Sequence, residues 1–176
     1  IMHFALLTWF RQVYDYQKIE PYPTYYALKR ALQPVLVSAE LWGRNLYGGD
    51  KLPTRIYVVN DREDGTALKP TLLRWEVQDE TGKKLVWGSE ELPAVKHYGR
   101  YYIEPNIQLP VNLPADKVKA KLVLKLTENG LPISENEYNL LLARKDWNRN
   151  QIAEGKKVLL LDKEGMKNKF DFLHIN

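Results

Sequence analysis

Glu40, Glu76, Glu90, Glu91 and Glu104 carry the carboxyls that general acid and nucleophilic work on a glycosidic bond would require. That chemistry needs two such groups facing each other across a sugar on a rigid concave scaffold. All five lie in or beside short segments where apolar and polar residues alternate, and the alternation points Glu40 and Glu76 to the outer face. They read as surface acids. His3, His97 and His174 fall in unrelated segments, and none has a second ligand-type residue at i+2 or i+4, so no metal-ligand spacing arises. Asp61-Arg62-Glu63-Asp64-Gly65 offers carboxylates suited to calcium without the spaced ligands of the EF-hand loop, and reads as a solvated turn between strands. No serine sits between nucleophile-elbow glycines, and no glycine-rich loop opens a helix as phosphate binding requires. No residue is therefore assigned a catalytic, cofactor-binding or metal-ligating role.

Aromatic residues supply a different chemistry, because an exposed indole can stack on a sugar ring whereas a buried one fills a core. Trp9, Trp42, Trp87 and Trp147 are open to either use, with the core as the commoner fate. Trp42 and Trp87 are the better candidates for exposure. Trp42 lies opposite the inward set of its segment, and Trp87 sits near a charged strand end.

The elements that would hold these residues are mainly strands. After Pro34 the apolar residues recur every second position, the mark of a sheet with one wet face. Val35, Val37, Ala39 and Leu41 share one face, as do Leu73, Trp75 and Val77. Val118, Ala120, Leu122, Leu124 and Leu126 alternate with Lys119, Lys121 and Lys125. Thr81-Gly82 separates strands at 71–79 and 84–91, and Asn129-Gly130, a strong hairpin signal, separates 118–128 from 133–143. With 35–42, 54–60 and 100–109 the pattern predicts about seven strands without intervening helices, hence an antiparallel sandwich with an aromatic core around Trp75 and Tyr138. Before it, residues 1–22 are rich in aromatics and read as a buried element in need of a partner. Thr24 then N-caps a short amphipathic helix over 24–33, with Tyr25, Leu28 and Leu32 on one side. After 146, Lys157 to Asp162 and Phe170 to Ile175 read as two further strands.

Composition bounds the partners. The 176 residues carry a net charge of +4, with the basic residues scattered among acids, which argues against nucleic acid. Apolar runs such as Phe4 to Leu7 fall far short of the ~20 residues that span a bilayer, so no membrane partner is expected. The absence of cysteine fits either a reducing compartment or export. Ile1-Met2-His3-Phe4 lacks the features of a signal peptide and reads as the interior of a longer polypeptide.

Tyr14-Asp15-Tyr16, followed by the run from Pro23 through Tyr25-Tyr26, Lys29, Ala31 and Pro34-Val35 to Ser38, resembles a junction in glycoside hydrolase family 2. That family includes β-galactosidases, β-mannosidases and exo-glucosaminidases. In its mannosidase-like members a catalytic barrel ends, a short helix follows and an immunoglobulin-like sandwich begins. Val58-Val59-Asn60-Asp61 looks like the second strand of that sandwich, and Ile133-Ser134-Glu135-Asn136-Glu137-Tyr138 looks like its last.

The resemblance covers about residues 1–147. It implies that 1–33 is the end of a barrel plus the junction helix, with Ile1 to Trp9 as the final barrel strand and loop. Residues 34–146 would be an all-β, immunoglobulin-like antiparallel sandwich, and 147–176 a linker and the start of a further domain or extra strands. The family's two catalytic glutamates lie upstream of such a barrel strand and so outside this chain. Leu7-Thr8-Trp9-Phe10 departs from the polar loop of mannosidase-like members, so no substrate role passes to Trp9. The expected function is a non-catalytic accessory domain of a glycosidase, without cofactor, whose partners are the other domains of its own polypeptide. A carbohydrate-binding sandwich is the alternative, and needs two or three exposed coplanar aromatics on one sheet face. Trp42, Trp87 and Tyr101 are the residues whose orientation separates the two. The family's polysaccharide-degrading members imply a periplasmic or secreted parent.

Overall fold

Alternation along the chain becomes burial in the fold. Val118, Ala120, Leu122, Leu124 and Leu126 are all buried, while the intervening lysines are exposed or lie on the opposite face. The computed structural model describes residues 9–146. In chain order these form β1 (Phe10–Arg11), β2 (Glu20–Pro21), α1 (Pro23–Ala31), β3 (Val35–Glu40), β4 (Asn45–Tyr47) and β5 (Arg55–Asn60). There follow β6 (Thr71–Asp79), β7 (Lys84–Leu92), β8 (Gly99–Ile103), β9 (Lys117–Glu128) and β10 (Leu131–Ala143). The described residues are thus mostly strand, with one short helix. The sequence regions 1–8 and 147–176, including the expected strands at 157–162 and 170–175, lie outside the described residues.

Two sheets share one apolar core. One runs β4-β10-β9-β6-β7 and the other β3-β5-β8. Val37, Ile56 and Val58 from the smaller sheet join Leu73, Trp75, Val77, Leu122 and Leu142 from the larger in a single cluster. The Asn129-Gly130 hairpin forms as its chemistry predicts, with positive φ at both residues (51° and 79°) and Glu128 paired to Leu131. Between β6 and β7, the Asp79 carboxylate accepts hydrogen bonds from Thr81 N, Thr81 Oγ1 and Lys83 N, which closes the turn around Gly82.

Four expectations change. The helix begins one residue earlier than predicted, with Tyr22 rather than Thr24 as N-cap and Pro23 in the first turn, where its missing N–H costs nothing. It ends at Ala31, and Leu32 beyond it is exposed. The strand expected over 100–109 stops at Ile103, because Pro105 cannot donate to a ladder; Ile107 and Leu109 are still buried by a loop that bonds Leu52 N to Ile107 O and Leu109 N to Asp50 O. The sheet is also not wholly antiparallel: the short β4, unmarked by any long alternation, pairs parallel to the end of β10. Residues 9–22 form a small hairpin rather than a buried element. Trp9 and Phe10 touch the Tyr25 ring, but Tyr14 and Tyr16 are exposed.

The sheets are held together by polar side chains as well as apolar ones. Ser134, Asn136 and Tyr138 occupy inward positions of β10, opposite Leu126, Leu124 and Leu122. There they meet the free edge of β3. Val37 N donates to Ser134 Oγ at 3.0 Å, Ala39 N to the Tyr138 hydroxyl at 2.9 Å, and Asn136 Nδ2 donates to Val37 O at 3.1 Å. Side chains thereby supply what a neighbouring strand would, and satisfy backbone groups that burial would otherwise penalise. Ser134 Oγ also bonds Gln33 Oε1, and Gln33 Nε2 donates to Glu135 O and Arg30 O, tying the end of α1 to β10.

Candidate functional site

The antiparallel order β3-β5-β8 brings the end of β3, the start of β5 and the end of β8 to one margin of the smaller sheet. Chain segments leaving those ends border a groove of about 520 Å³, lined among others by Glu40, Trp42, Lys51, Thr54, Arg55 and Glu104. Pro53 and Pro105 stiffen its walls.

Its central feature is an indole held in place at the surface. Trp42 is 89% exposed, yet its Nε1 donates to Glu40 Oε1 at 2.7 Å. Glu40 Oε2 accepts the Tyr57 hydroxyl at 3.0 Å, so the carboxylate links the indole to the sheet. Tyr57 in turn packs on Tyr102, with ring centroids 5.5 Å apart. Arg55 lies over the Tyr102 ring at 5.6 Å and donates from Nε to Glu104 Oε1 at 2.6 Å. The Glu104 carboxylate, and after it the Tyr57 hydroxyl, raise the already high pKa of the Arg55 guanidinium, so it stays charged at any working pH. The arrangement presents a flat apolar face beside fixed hydrogen-bonding groups of both signs.

The weighed residues scatter otherwise. Glu40 and Glu104 line the groove together, whereas Glu76 sits on the outer face of the larger sheet, bonded to Lys84 Nζ at 2.7 Å. Glu90 and Glu91 are exposed on β7. In the acidic run, Asp64 Oδ1 accepts Thr66 N and Thr66 Oγ1, and Arg62 pairs with Glu128, which makes the segment a turn. His97 packs on Tyr98, and among the described residues no group of three or more His, Cys, Asp or Glu could hold a metal ion. His3, His174 and Trp147 lie outside the described residues.

Trp42 and Trp87, the two better candidates for exposure, are both exposed rather than taken into the core, the commoner fate, and Trp75 is buried. They do not share a face. Trp87 pairs with Glu76 on the outer side of the larger sheet, while Trp42 follows β3 in the smaller one. Tyr101 pairs with the fully buried Val58 and so lies on the core-facing side of the smaller sheet, opposite to Trp42, although on the edge strand it stays 38% exposed. Sequence reasoning passed over Tyr57, Arg55 and Tyr102. Arg55 and Tyr57 were findable, since both alternate with Ile56 and Val58 and must point outward; Tyr102 needed the sheet register.

The motif residues have structural uses. Asn60, fully buried, donates from Nδ2 to Thr66 O at 2.9 Å and Val95 O at 3.0 Å, which anchors the 61–66 turn. Ser134, Asn136 and Tyr138 are the side chains that hold β3.

No protein-family model and no curated protein matches the chain. Among solved structures, an exo-chitosanase of Amycolatopsis orientalis superposes with a TM-score of 0.50 at 16% identity, over 68% of this chain and 12% of that one. A β-glucuronidase from glycoside hydrolase family 2 gives a TM-score of 0.39 at 18% identity, over 60% of this chain and 11% of that one. An alkylpurine DNA glycosylase of Pseudomonas fluorescens gives 0.39 at 12% identity, over 65% and 32%. The chain spans about an eighth of the exo-chitosanase, and at this identity the likeness establishes a fold shared with that segment.

Proposed function

We propose that the chain is a non-catalytic accessory domain of a glycoside hydrolase of family 2. In this reading 34–146 is an immunoglobulin-like β-sandwich, 1–33 brings the end of a catalytic barrel and a junction helix, and 147–176 leads into further structure. The observation that carries it is the junction itself. Gln33 ties α1 to β10 through Ser134 and Glu135, and Arg30 pairs with Glu137 at 3.6 Å, so the helix is held in a set direction from the sheets. That is what a spacer between domains requires, and the residues responsible belong to the stretches that resemble the family's junction and last strand. The fold shared with a segment of an exo-chitosanase supports a glycosidase parent. The exposed Tyr14, Tyr16 and Tyr26 of the N-terminal unit suit packing against another domain of the same polypeptide.

Incubating the purified 176-residue chain with aryl β-galactoside, β-mannoside and β-glucosaminide checks this reading. No aglycone release is expected. Turnover that Glu40→Gln or Glu104→Gln abolishes would make the sandwich an enzyme and end the accessory-domain reading.

A second reading, a carbohydrate-binding sandwich, draws on the exposed and anchored Trp42. Trp42, Trp87 and Tyr101 offer it no common platform, so its case rests on the groove.

A further inference from the structure

We infer that the groove at the end of β3, β5 and β8 is a binding site for a neutral, equatorially substituted pyranose chain of the β-1,4-glucan type, with Trp42 as its stacking surface. The inference rests on the second reading and gives it a site and a ligand class; the accessory-domain reading does not depend on it.

The first argument is the state of the indole. An exposed aromatic side chain ordinarily keeps its rotamer freedom, and a ligand must remove that freedom on binding. Here Glu40 restrains Trp42 in advance, with one oxygen on its Nε1 and the other on Tyr57. With the indole N–H engaged, its flat π-face is what remains to offer a partner. A pyranose whose hydroxyls are all equatorial presents axial C–H groups on its faces, a flat apolar patch that complements an aromatic ring. An axial hydroxyl breaks that patch.

The second argument is the rim. Lys51, Thr54, Arg55 and Glu104 stand around the indole, and Arg55 is fixed by Glu104 and the Tyr102 ring. Ring hydroxyls act as donor and acceptor at once, so neighbouring cations and carboxylates serve them both ways. The groove's two carboxylates, Glu40 and Glu104, balance its two cations, Lys51 and Arg55. A neutral sugar gains from both signs, whereas an amino sugar or a uronate meets as much repulsion as attraction. The volume, about 520 Å³, falls within the range of small-ligand sites.

The test uses the full chain, labelled with ¹⁵N, and follows its indole N–H resonances as cellohexaose is added, with calorimetry alongside. Replacing Trp42 by Phe assigns its resonance. The Trp42 resonance should move in a saturable way, and Trp42→Ala should weaken binding by roughly tenfold or more with an unchanged thermal midpoint. Trp87→Ala should bind as the unaltered chain does. Glu40→Gln should bind several-fold more weakly, because a neutral amide holds the indole less firmly. A glucosamine hexamer and an oligogalacturonate should each bind more weakly than cellohexaose. Undiminished binding by Trp42→Ala would overturn this site while leaving a carbohydrate-binding module in place. No binding of any of the three sugars would overturn both. Tighter binding of either charged sugar would overturn the neutral class. A concentration-dependent dimer in sedimentation that Trp42→Ala abolishes would show the groove to be a protein contact.

Discussion

The indole of Trp75 fills the space that a side chain at Gly88 would need. The two residues are paired across β6 and β7, and a Cβ built on Gly88 would lie 2.5 Å from Trp75 Cζ2 and 2.7 Å from Cε2. A side chain at Gly88 therefore requires the Trp75 ring to move. Gly88→Ala should lower stability by about 1–3 kcal/mol, because the ring must move within a packed core. Trp75→Ala should cost about 3–5 kcal/mol through lost burial and the cavity left behind. In urea denaturation, Gly88→Ala combined with Trp75→Leu should cost less than the sum of the single changes, since the smaller side chain relieves the clash. Strict additivity would show that the ring accommodates the methyl without moving.

The polar bridge between the sheets gives a local signature. Ser134→Ala leaves the buried Val37 N–H without its acceptor, at a cost of about 1–3 kcal/mol. Tyr138→Phe does the same to Ala39 N–H in a partly buried setting. Hydrogen exchange should then accelerate at Val37 in the first variant and at Ala39 in the second, ahead of the rest of β3. Uniform acceleration along the strand would mean that the side chains do not act as separate rungs.

Acid should weaken the fold partly through Glu128. Its carboxylate accepts Arg62 Nη2 at 2.7 Å and Lys69 N at 2.8 Å, and Arg62 above all holds its pKa below the ordinary value of about 4.5. A carboxylate with a depressed native pKa contributes stability that is complete above the unfolded value and lost as pH falls through the native one. Glu128→Gln should therefore be less stable than the unaltered chain at about pH 7, and the gap should narrow as the pH drops below about 4.5. The same shift at Glu76, caused mainly by Lys84, and at Asp64 and Asp79, caused mainly by Thr66 and Thr81, acts on both proteins and cancels in the comparison. A gap that is constant with pH would assign the interaction to packing.

The β9–β10 turn should resist any side chain at its second position. Gly130 has a φ of 79°, and Gly130→Ala should destabilise by about 1 kcal/mol or more. The neighbouring Asn129, at a φ of 51°, tolerates this region better than most residues, so Asn129→Gly should be nearly neutral or stabilising. Thermal midpoints of the two variants should move in opposite directions, or the second not at all.

Much of the fold was legible in the sequence because it rests on local rules. Period-two burial follows from the geometry of a single strand, and it marked Leu122 to Leu126 and Trp75 as inward and Trp42 as outward without knowledge of their neighbours. The turn at Asn129-Gly130 follows from which residues accept a positive φ. What only the tertiary structure decided was pairing over distance. Nothing local marks β4 as a parallel partner of β10, or reveals that Ser134, Asn136 and Tyr138 would use their inward positions to bond the edge of β3. The groove is of the same kind. Glu40 and Trp42, Tyr57 with Arg55, and Tyr102 with Glu104 come from three strand ends far apart in the chain, and the sheet order β3-β5-β8 alone brings them together. Alternation tells which side of a strand meets water, but the register between strands selects which of those outward residues become neighbours.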